Sequence, residues 1–178
     1  MTDRDIPDEA TGLSEKHKEL LRQTWQVIYS QENRKNFAST LFVKLFTVHP
    51  EAQSLFRTMK DLNFEQLEQS PKLIAHAYRV LAAIENLITN LDDPEVFVEM
   101  LKNIARSHGD TGVTRKNFEE LGPVLVGAMG EILEDKLTPK AQEAWVLAYT
   151  FIVKAIWDEY DVMDKEKEQE SENMVKEN

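Results

Sequence analysis

Apolar residues recur at intervals of three and four along most of this chain, which is the period of one helix face turned towards a core. No segment shows the sustained alternation that is typical of a half-buried β-strand. The pattern therefore predicts an all-α domain of about six to eight helices joined by short connections. The clearest apolar stripes are Leu13, Leu20, Leu21, Trp25 and Ile28; Leu73, Ala77, Val80, Leu81, Ile84, Leu87, Ile88 and Leu91; and Trp145, Ala148, Tyr149, Ile152, Ala155 and Ile156.

Several helix boundaries carry recognisable signals. A side chain with a capping oxygen stands directly before a proline at three positions, and this arrangement is typical of a helix start. The pairs are Ser70–Pro71, Asp93–Pro94 and Thr138–Pro139. Gly109 and Gly112 are suited to left-handed backbone conformations, so the helix before them is predicted to end just after His108.

The two ends of the chain differ in composition from the rest. Residues 1–12 and 159–178 are acidic and polar, with few side chains to bury. Such segments gain too little from burial to offset the entropy lost on ordering. Both are therefore expected to be flexible acidic tails around a single domain at residues 13–158.

Composition excludes several classes of function. The chain has no cysteine, which excludes disulfides, thiolate metal sites, cysteine nucleophiles and covalent C-x-x-C-H haem attachment. Its net charge of −11 repels nucleic acid and anionic membrane surfaces, so neither is an expected partner. No secretory signal, bilayer-spanning run or common lipidation motif stands out, and the expected location is therefore cytoplasmic.

Two of the four histidines lie on apolar stripes. His76 interrupts the stripe of the segment 73–88, and His108 extends a second stripe formed by Phe97, Leu101, Ile104 and Ala105. His17 in the first turn of a helix and His49 before a proline are expected to have no specific role. The sequence therefore directs two imidazoles on different helices towards the core.

The spacing of His76 and His108 leaves two interpretations open. Each ring, taken singly, is more often a core histidine satisfied by one or two hydrogen bonds. A structural zinc site is disfavoured because it needs four ligands, and nothing resembles a nucleophile elbow for covalent catalysis. Two opposed histidines can also serve a planar metal cofactor bound between two helices.

Five ordered segments, which together cover residues 13–157, resemble the globins. The sequence around His76 is most similar to the neuroglobin and cytoglobin branch. The cysteines of that branch are absent, so thiol-linked control of ligand affinity is not expected. The segments are LSEKHKELLRQTW (13–25), LFVKLFTVHPEAQSLF (41–56), SPKLIAHAYRVL (70–81), LKNIARSHGDTGVTRKNF (101–118) and LTPKAQEAWVLAY (137–149).

The resemblance implies a globin fold around a haem pocket. It implies that His108 is the proximal iron ligand, that His76 with Val80 forms the distal pair, and that Phe56 contacts the haem. The cofactor would be non-covalent haem b with its iron. The ring N–H of His108 is expected to reach the carbonyl of Ile104, helped by the Ser107 hydroxyl.

Apolar side chains are expected to surround the haem, because a wet pocket would promote oxidation of the iron. Arg79, one turn past His76, is the expected partner of the propionates, with an ordinary solvated position as the alternative. The expected lining residues are Phe42, Phe56, Val80, Ile104, Val113, Phe118 and Ile152.

Three functions remain compatible with the sequence. The first is reversible binding of dioxygen and other diatomic gases for storage, transport or buffering. The second is a six-coordinate bis-histidyl haem protein in redox or gas signalling, with nitric oxide or nitrite chemistry. The third is a helical interaction domain without haem. The protein is not expected to act mainly as an enzyme. Nitric oxide dioxygenase or nitrite reductase activity would be secondary. A monomer or weak homodimer is expected, with the redox partner unspecified.

Overall fold

Seven α-helices make up most of the described part of the chain. The structure is a computed structural model that describes the backbone of residues 5–176 and the side chains of residues 5–174. These residues contain no β-strand, so the prediction of an all-α domain is confirmed. The helices are α1 Glu15–Ile28, α2 Arg34–Val48, α3 Phe64–Glu68, α4 Pro71–Thr89, α5 Pro94–His108, α6 Arg115–Leu133 and α7 Pro139–Lys176, with 3-10 helices at Pro50–Leu55 and Glu134–Lys136.

The helix starts follow the sequence signals. The side-chain oxygens of Ser70, Asp93 and Thr138 accept backbone N–H groups three residues later, at 3.4, 3.2 and 3.2 Å. These contacts satisfy donors that the first helical turn leaves without an intrahelical partner. The starts of α4, α5 and α7 are therefore fixed by local contacts.

The end of α5 agrees with the sequence in position and differs in detail. The helix ends at His108, as predicted. Gly112 has a positive φ of 83°, but Gly109 has a φ of −58° and remains right-handed. The expectation of a left-handed Gly109 is therefore wrong.

The core joins α7 to α1, α5 and α6, and α2 to α4 and α6. Trp25, Phe37 and Phe97 are among the fully buried side chains. The indole N–H of Trp145 on α7 donates to the Thr24 hydroxyl on α1 at 2.9 Å, so this buried polar group is satisfied. This packing fixes α7 behind the helices that carry the two inward histidines.

A close helix crossing brings α6 against α7. A Cβ atom at Gly122 would lie only 2.5 Å from the Tyr149 ring, so the crossing requires glycine. The Tyr149 hydroxyl donates to the carbonyl of Phe118 at 2.7 Å, and burial raises the pKa of this phenol. The crossing thereby anchors the start of α6, where Phe118 lies, to the core.

The amino-terminal segment is more ordered than the sequence indicates. Residues 1–4 lie outside the described part of the chain. The carboxylate of Asp8 accepts the backbone N–H and the hydroxyl of Thr11, at 2.6 and 2.7 Å. It also lies 3.4 Å from the ammonium of Lys18, whose side chain is only 7% exposed. The turn around Asp8 therefore packs on α1, while the flexible tail expected at residues 1–12 stays a prediction.

The acidic carboxy-terminal segment also departs from expectation. Helix α7 continues to Lys176, and Glu159, Tyr160 and Met163 are buried. Tyr160 and Met163 continue the apolar stripe that contains Ile152 and Ile156. The apolar face of α7 therefore extends to Met163, past the domain boundary expected at residue 158, and that boundary stays a prediction. Residues 164–174 are exposed, as their composition indicates.

Candidate functional site

A single apolar cavity contains every site residue that the sequence predicts. Its volume is about 630 Å³, within the range of roughly 300–1,000 Å³ that is typical of cofactor and ligand sites. Helices α2, α4, α5, α6 and α7 all contribute to its wall. The predicted residues that line it are Phe42, Phe56, His76, Arg79, Val80, Ile104, His108, Val113, Phe118 and Ile152.

His108 is held in a defined orientation at the end of α5. Its Nδ1 atom lies 2.8 Å from the carbonyl oxygen of Ile104, so this nitrogen carries the ring proton. The Ser107 hydroxyl donates to the same carbonyl at 2.8 Å and lies 3.2 Å from Nδ1. The ring of Phe118 packs on the imidazole with a centroid distance of 5.4 Å. The Nε2 lone pair is therefore free to bind a metal.

His76 has a different environment on α4. The rings of Phe42 and Phe56 meet the imidazole edge to face, with centroid distances of 5.0 and 5.2 Å. Burial, together with the charge of Arg79 and the proximity of His108, lowers the pKa of His76 to about 4. The ring is therefore neutral near pH 7.

The contact of Arg79 with His76 influences the tautomer of His76. A guanidinium nitrogen of Arg79 lies 3.4 Å from Nδ1 of His76. Because a guanidinium has no acceptor, this contact makes Nδ1 the acceptor and leaves the ring proton on Nε2. Arg79 itself is exposed at the edge of the cavity.

Aromatic rings close the His76 side of the cavity. Phe56 packs on Phe42 at 5.8 Å and on Phe46 at 5.1 Å, in edge-to-face geometry. Phe56 follows the 3-10 helix, whereas the other two rings lie on α2. Three rings from two neighbouring segments thus form an apolar cage on one side of His76, which is itself half-buried.

The sequence missed further lining residues. Ile84, Leu87 and Ile88 extend the α4 stripe beyond Val80, so that stripe carried the necessary signal. Leu55 and Thr111 lie outside the α-helices, where no period identifies an inward residue. The additional residues are Leu45, Ala52, Leu55, Ala83, Ile84, Leu87, Ile88, Leu91, Phe97, Ser107, Thr111, Asn117, Leu121, Leu125, Trp145, Ala148, Tyr149 and Ile156.

These features fit a haem. An apolar cavity suits a flat macrocycle, and an imidazole with a free Nε2 suits an axial iron bond. A second imidazole lines the same cavity from another helix, and an exposed guanidinium at the edge suits an anionic propionate. No cysteine is present for a covalent thioether link.

A second group of histidine and carboxylate side chains lies on the surface. Nδ1 of His49 lies 3.8 Å from Glu51 and 3.5 Å from Glu120. The ammonium of Lys116 lies 3.0 Å from the same Glu120 oxygen, and hydrogen bonding from Lys116 lowers the pKa of Glu120. Lys116 already supplies the positive charge that a metal ion would bring, so the group is an ion-pair cluster. His49 is partly buried in this cluster, which the sequence did not indicate.

Similarity to known proteins agrees with this site. The family model described as Globin matches residues 39–156. Neuroglobin of Dissostichus mawsoni is 30% identical over 145 residues, which cover 81% of this chain and 90% of the relative. Neuroglobin of Danio rerio is 28% identical with the same coverage. Extracellular globin-E1 of Artemia sp. is 32% identical over 146 residues, which cover 77% of this chain and 74% of the relative.

A solved structure supports the fold. The crystal structure of a hexacoordinated haem protein from an anhydrobiotic tardigrade, at pH 4, superposes with a TM-score of 0.80 and 21% identity. The match covers 86% of this chain and 99% of that protein. No helix in the described part of the chain is both long and apolar enough to span a bilayer. The predicted globin fold is confirmed, and the chain belongs to the globin family as a haem-binding, neuroglobin-like member.

Proposed function

We propose that this globin binds haem b non-covalently in the cavity, with His108 as the proximal iron ligand, and that it binds dioxygen and other diatomic gases reversibly. The observation that carries the proposal is the His108 ring, whose Nδ1 is bonded to Ile104 while Nε2 remains free beside an apolar cavity. The haem, when bound, supplies the iron at which a gas molecule binds and leaves.

The cavity residues have distinct roles in this proposal. Ile104 and Ser107 fix the plane and tautomer of His108 and increase the basicity of Nε2. Phe42 and Phe56 keep water from the distal space, which protects ferrous iron from oxidation. Arg79 is the cation at the edge of the cavity, and it is suited to pair with a propionate.

The tautomer of His76 favours the gas-binding function. With Arg79 beside Nδ1, the proton on Nε2 is available for donation to a gas molecule in the distal space. A neutral imidazole is required for this tautomer, and the low pKa of His76 keeps the ring neutral near pH 7. His76 is then a distal hydrogen-bond donor, which suits storage, transport or buffering of dioxygen.

A six-coordinate haem protein is the alternative. The hexacoordinated tardigrade protein supports it, as do the Phe42 and Phe56 rings that pack on His76. In that state His76 binds iron through Nε2, so its proton must move to Nδ1 and the Arg79 contact must break. Redox or gas signalling, with nitric oxide or nitrite chemistry, would then follow.

Absorption spectroscopy of the haem-loaded protein tests both proposals. We expect one haem per chain and a Soret band that shifts when carbon monoxide is added to the reduced protein. A five-coordinate spectrum of the reduced, gas-free protein supports the donor role of His76, and a six-coordinate spectrum supports bis-histidyl ligation. Failure to retain haem would overturn both and favour a helical interaction domain.

Light scattering tests the proposed monomer or weak homodimer.

A further inference from the structure

The continuation of α7 lies along the segment that carries His108. We name residues 159–167 the α7 extension and residues 106–115 the proximal segment. Helix α5 ends at His108 and α6 begins at Arg115, so residues 109–114 lie outside the α-helices. Local turn hydrogen bonds hold only the start of this connection, from the Gly109 and Thr111 backbone N–H groups to the carbonyls of Arg106 and His108. Contacts with the α7 extension hold it from outside.

Arg106 joins the extension two residues before His108. Its Nε atom lies 2.6 Å from Glu159, whose side chain is only 5% exposed. Its two terminal nitrogens donate to the two oxygens of Glu166, at 3.0 and 3.1 Å. Such a bidentate pair fixes the orientation of the guanidinium as well as its position. The hydrogen bonds from Arg106 also lower the pKa of Glu166.

Two further contacts lie directly after His108. A Cβ atom at Gly109 would be 2.1 Å from the terminal methyl of Met163, so this buried methionine packs directly on the Gly109 backbone. The ammonium of Lys167 lies 3.2 Å from Asp110. The extension therefore contacts the chain on both sides of the proximal histidine within a few residues.

The far end of the proximal segment is held in the same way. Arg115 pairs with Asp161 and with Asp164, the latter at 3.5 Å. The Tyr160 hydroxyl donates to the carbonyl of Val113 at 3.1 Å. Acidic side chains on the extension thus face basic side chains at both ends of the proximal segment. This charge complementarity adds to the apolar contacts of Tyr160 and Met163 in holding the acidic extension against the proximal segment.

We propose that the α7 extension is an ionic brace that positions His108 for its bond to iron, with Arg106 and Glu166 as positioning residues. The inference rests on the proposed role of His108 as the proximal ligand. Exposed ion pairs weaken as salt increases, so the brace makes haem retention depend on ionic strength. Loosening it lets the proximal segment move and lengthens or tilts the bond between His108 and iron.

The test compares Glu166→Lys with Glu170→Lys in the full-length haem protein. Both substitutions change the net charge equally on the same helix, but among the described residues Glu170 forms no ion pair, whereas Glu166 binds Arg106. We expect Glu166→Lys to speed haem transfer to an apoglobin acceptor by roughly three- to tenfold at low salt, the combined effect of lost attraction and new repulsion. Glu170→Lys should transfer haem at the wild-type rate.

A spectroscopic readout separates positioning from general stability. The iron–histidine stretching band of the reduced protein, recorded in a five-coordinate form with the distal histidine replaced by leucine, should shift or broaden in Glu166→Lys only. Increasing salt should speed haem loss in the wild type and have a smaller effect in Glu166→Lys, because salt there also screens the new repulsion between Arg106 and the introduced lysine.

The outcomes separate the inference from the proposed function. Wild-type protein that holds haem, with both variants equal to it in haem transfer and in the stretching band, overturns the brace and leaves the haem site intact. A wild type that retains no haem overturns the proposed function. Hydrogen exchange of residues 106–115 in the haem-free protein then still tests the brace. Protection of their backbone amides from exchange must fall in Glu166→Lys and not in Glu170→Lys.

Discussion

The two histidines of the cavity are held by opposite means. His108 is oriented by polar contacts, since its Nδ1 is bonded to the Ile104 carbonyl beside the Ser107 hydroxyl. His76 is enclosed by the rings of Phe42 and Phe56, and its only polar contact among the described residues is an exposed arginine at 3.4 Å. A directional hydrogen bond fixes tautomer and plane, whereas ring packing alone selects no tautomer.

This difference matches the two tasks proposed for the histidines. A permanent iron ligand benefits from a preset lone pair, because no orientation has to be found when iron binds. A distal residue that donates to a gas, or leaves iron to admit one, needs freedom to move and to exchange its ring proton. The proximal side is therefore built of backbone and hydroxyl contacts, and the distal side of aromatic surface.

Replacing the fixed histidine should have the largest effect. His108→Ala removes the proposed proximal bond and leaves only apolar contacts to retain haem. We expect haem affinity to fall by more than the roughly 10- to 100-fold that is typical of losing a hydrogen bond to a metal ligand. Haem stoichiometry after gel filtration, together with the rate of haem transfer, measures the change.

The control for this substitution is His49→Ala, which removes an imidazole from the surface cluster. It should leave haem retention unchanged. Added imidazole should partly restore the Soret band of His108→Ala, because it can occupy the space of the missing ring. Full retention and an unaltered spectrum in His108→Ala would contradict the proximal assignment.

Replacing the distal histidine, His76, should alter ligand binding without losing haem. If His76 binds iron, His76→Leu converts the reduced spectrum from six- to five-coordinate and speeds carbon monoxide binding, because the competing ligand is gone. It also hastens oxidation of the oxygen complex by removing a hydrogen-bond donor. Absorption spectra and flash photolysis measure these changes.

The same variant separates the two proposed states. A wild type that is already five-coordinate, with His76→Leu altering only the rate of oxygen release, supports the donor role and the storage function. If neither spectrum nor kinetics change, His76 is a packing residue and the comparison with His108 loses its functional meaning.

The haem-free protein provides a test of the distal environment alone. The folded pKa of His76 is about 4, below the ordinary value of 6.5, so between these values the unfolded chain binds more protons. Stability is therefore fully present above pH 6.5 and is progressively lost as pH falls towards 4. The ring is partly open to solvent, so a discounted contribution on the order of 1 kcal/mol is expected.

Thermal unfolding across this pH range checks the prediction. The wild type should lose about 2–4 °C more in Tm than His76→Leu between pH 7 and pH 4.5. The difference between the two proteins isolates this ring from the carboxylates that titrate in the same range. Parallel Tm curves would show that the apolar cage does not affect protonation of His76.

The sequence predicted the site better than the ends of the chain. His76, His108 and Ile104 lie on strong helical stripes and in motifs of fixed order, so period and resemblance together located them. The brace was missed because acidic composition indicated solvation at residues 159–178. Composition does not show that Arg106 and Arg115, about fifty residues earlier, neutralise Glu159, Asp161 and Glu166 in the fold.

The smallest effect is expected for a truncation at the end of α7. This truncation also tests how far along α7 the brace extends. Removing residues 168–178 leaves in place every ion pair described above between the α7 extension and the proximal segment, and the side chains of residues 168–174 are exposed. The change in Tm should be within about 1 °C, because exposed positions contribute little to stability. Removing residues 159–178 also deletes the buried Tyr160 and Met163 and every contact to residues 106–115 described above. Burial of two large side chains is worth roughly 1.5–3 kcal/mol each, so the longer truncation should lose several degrees and release haem faster. Calorimetry and haem-transfer measurements on the two truncated proteins test this prediction. Equal losses of stability in both, or no loss in either, would contradict the brace.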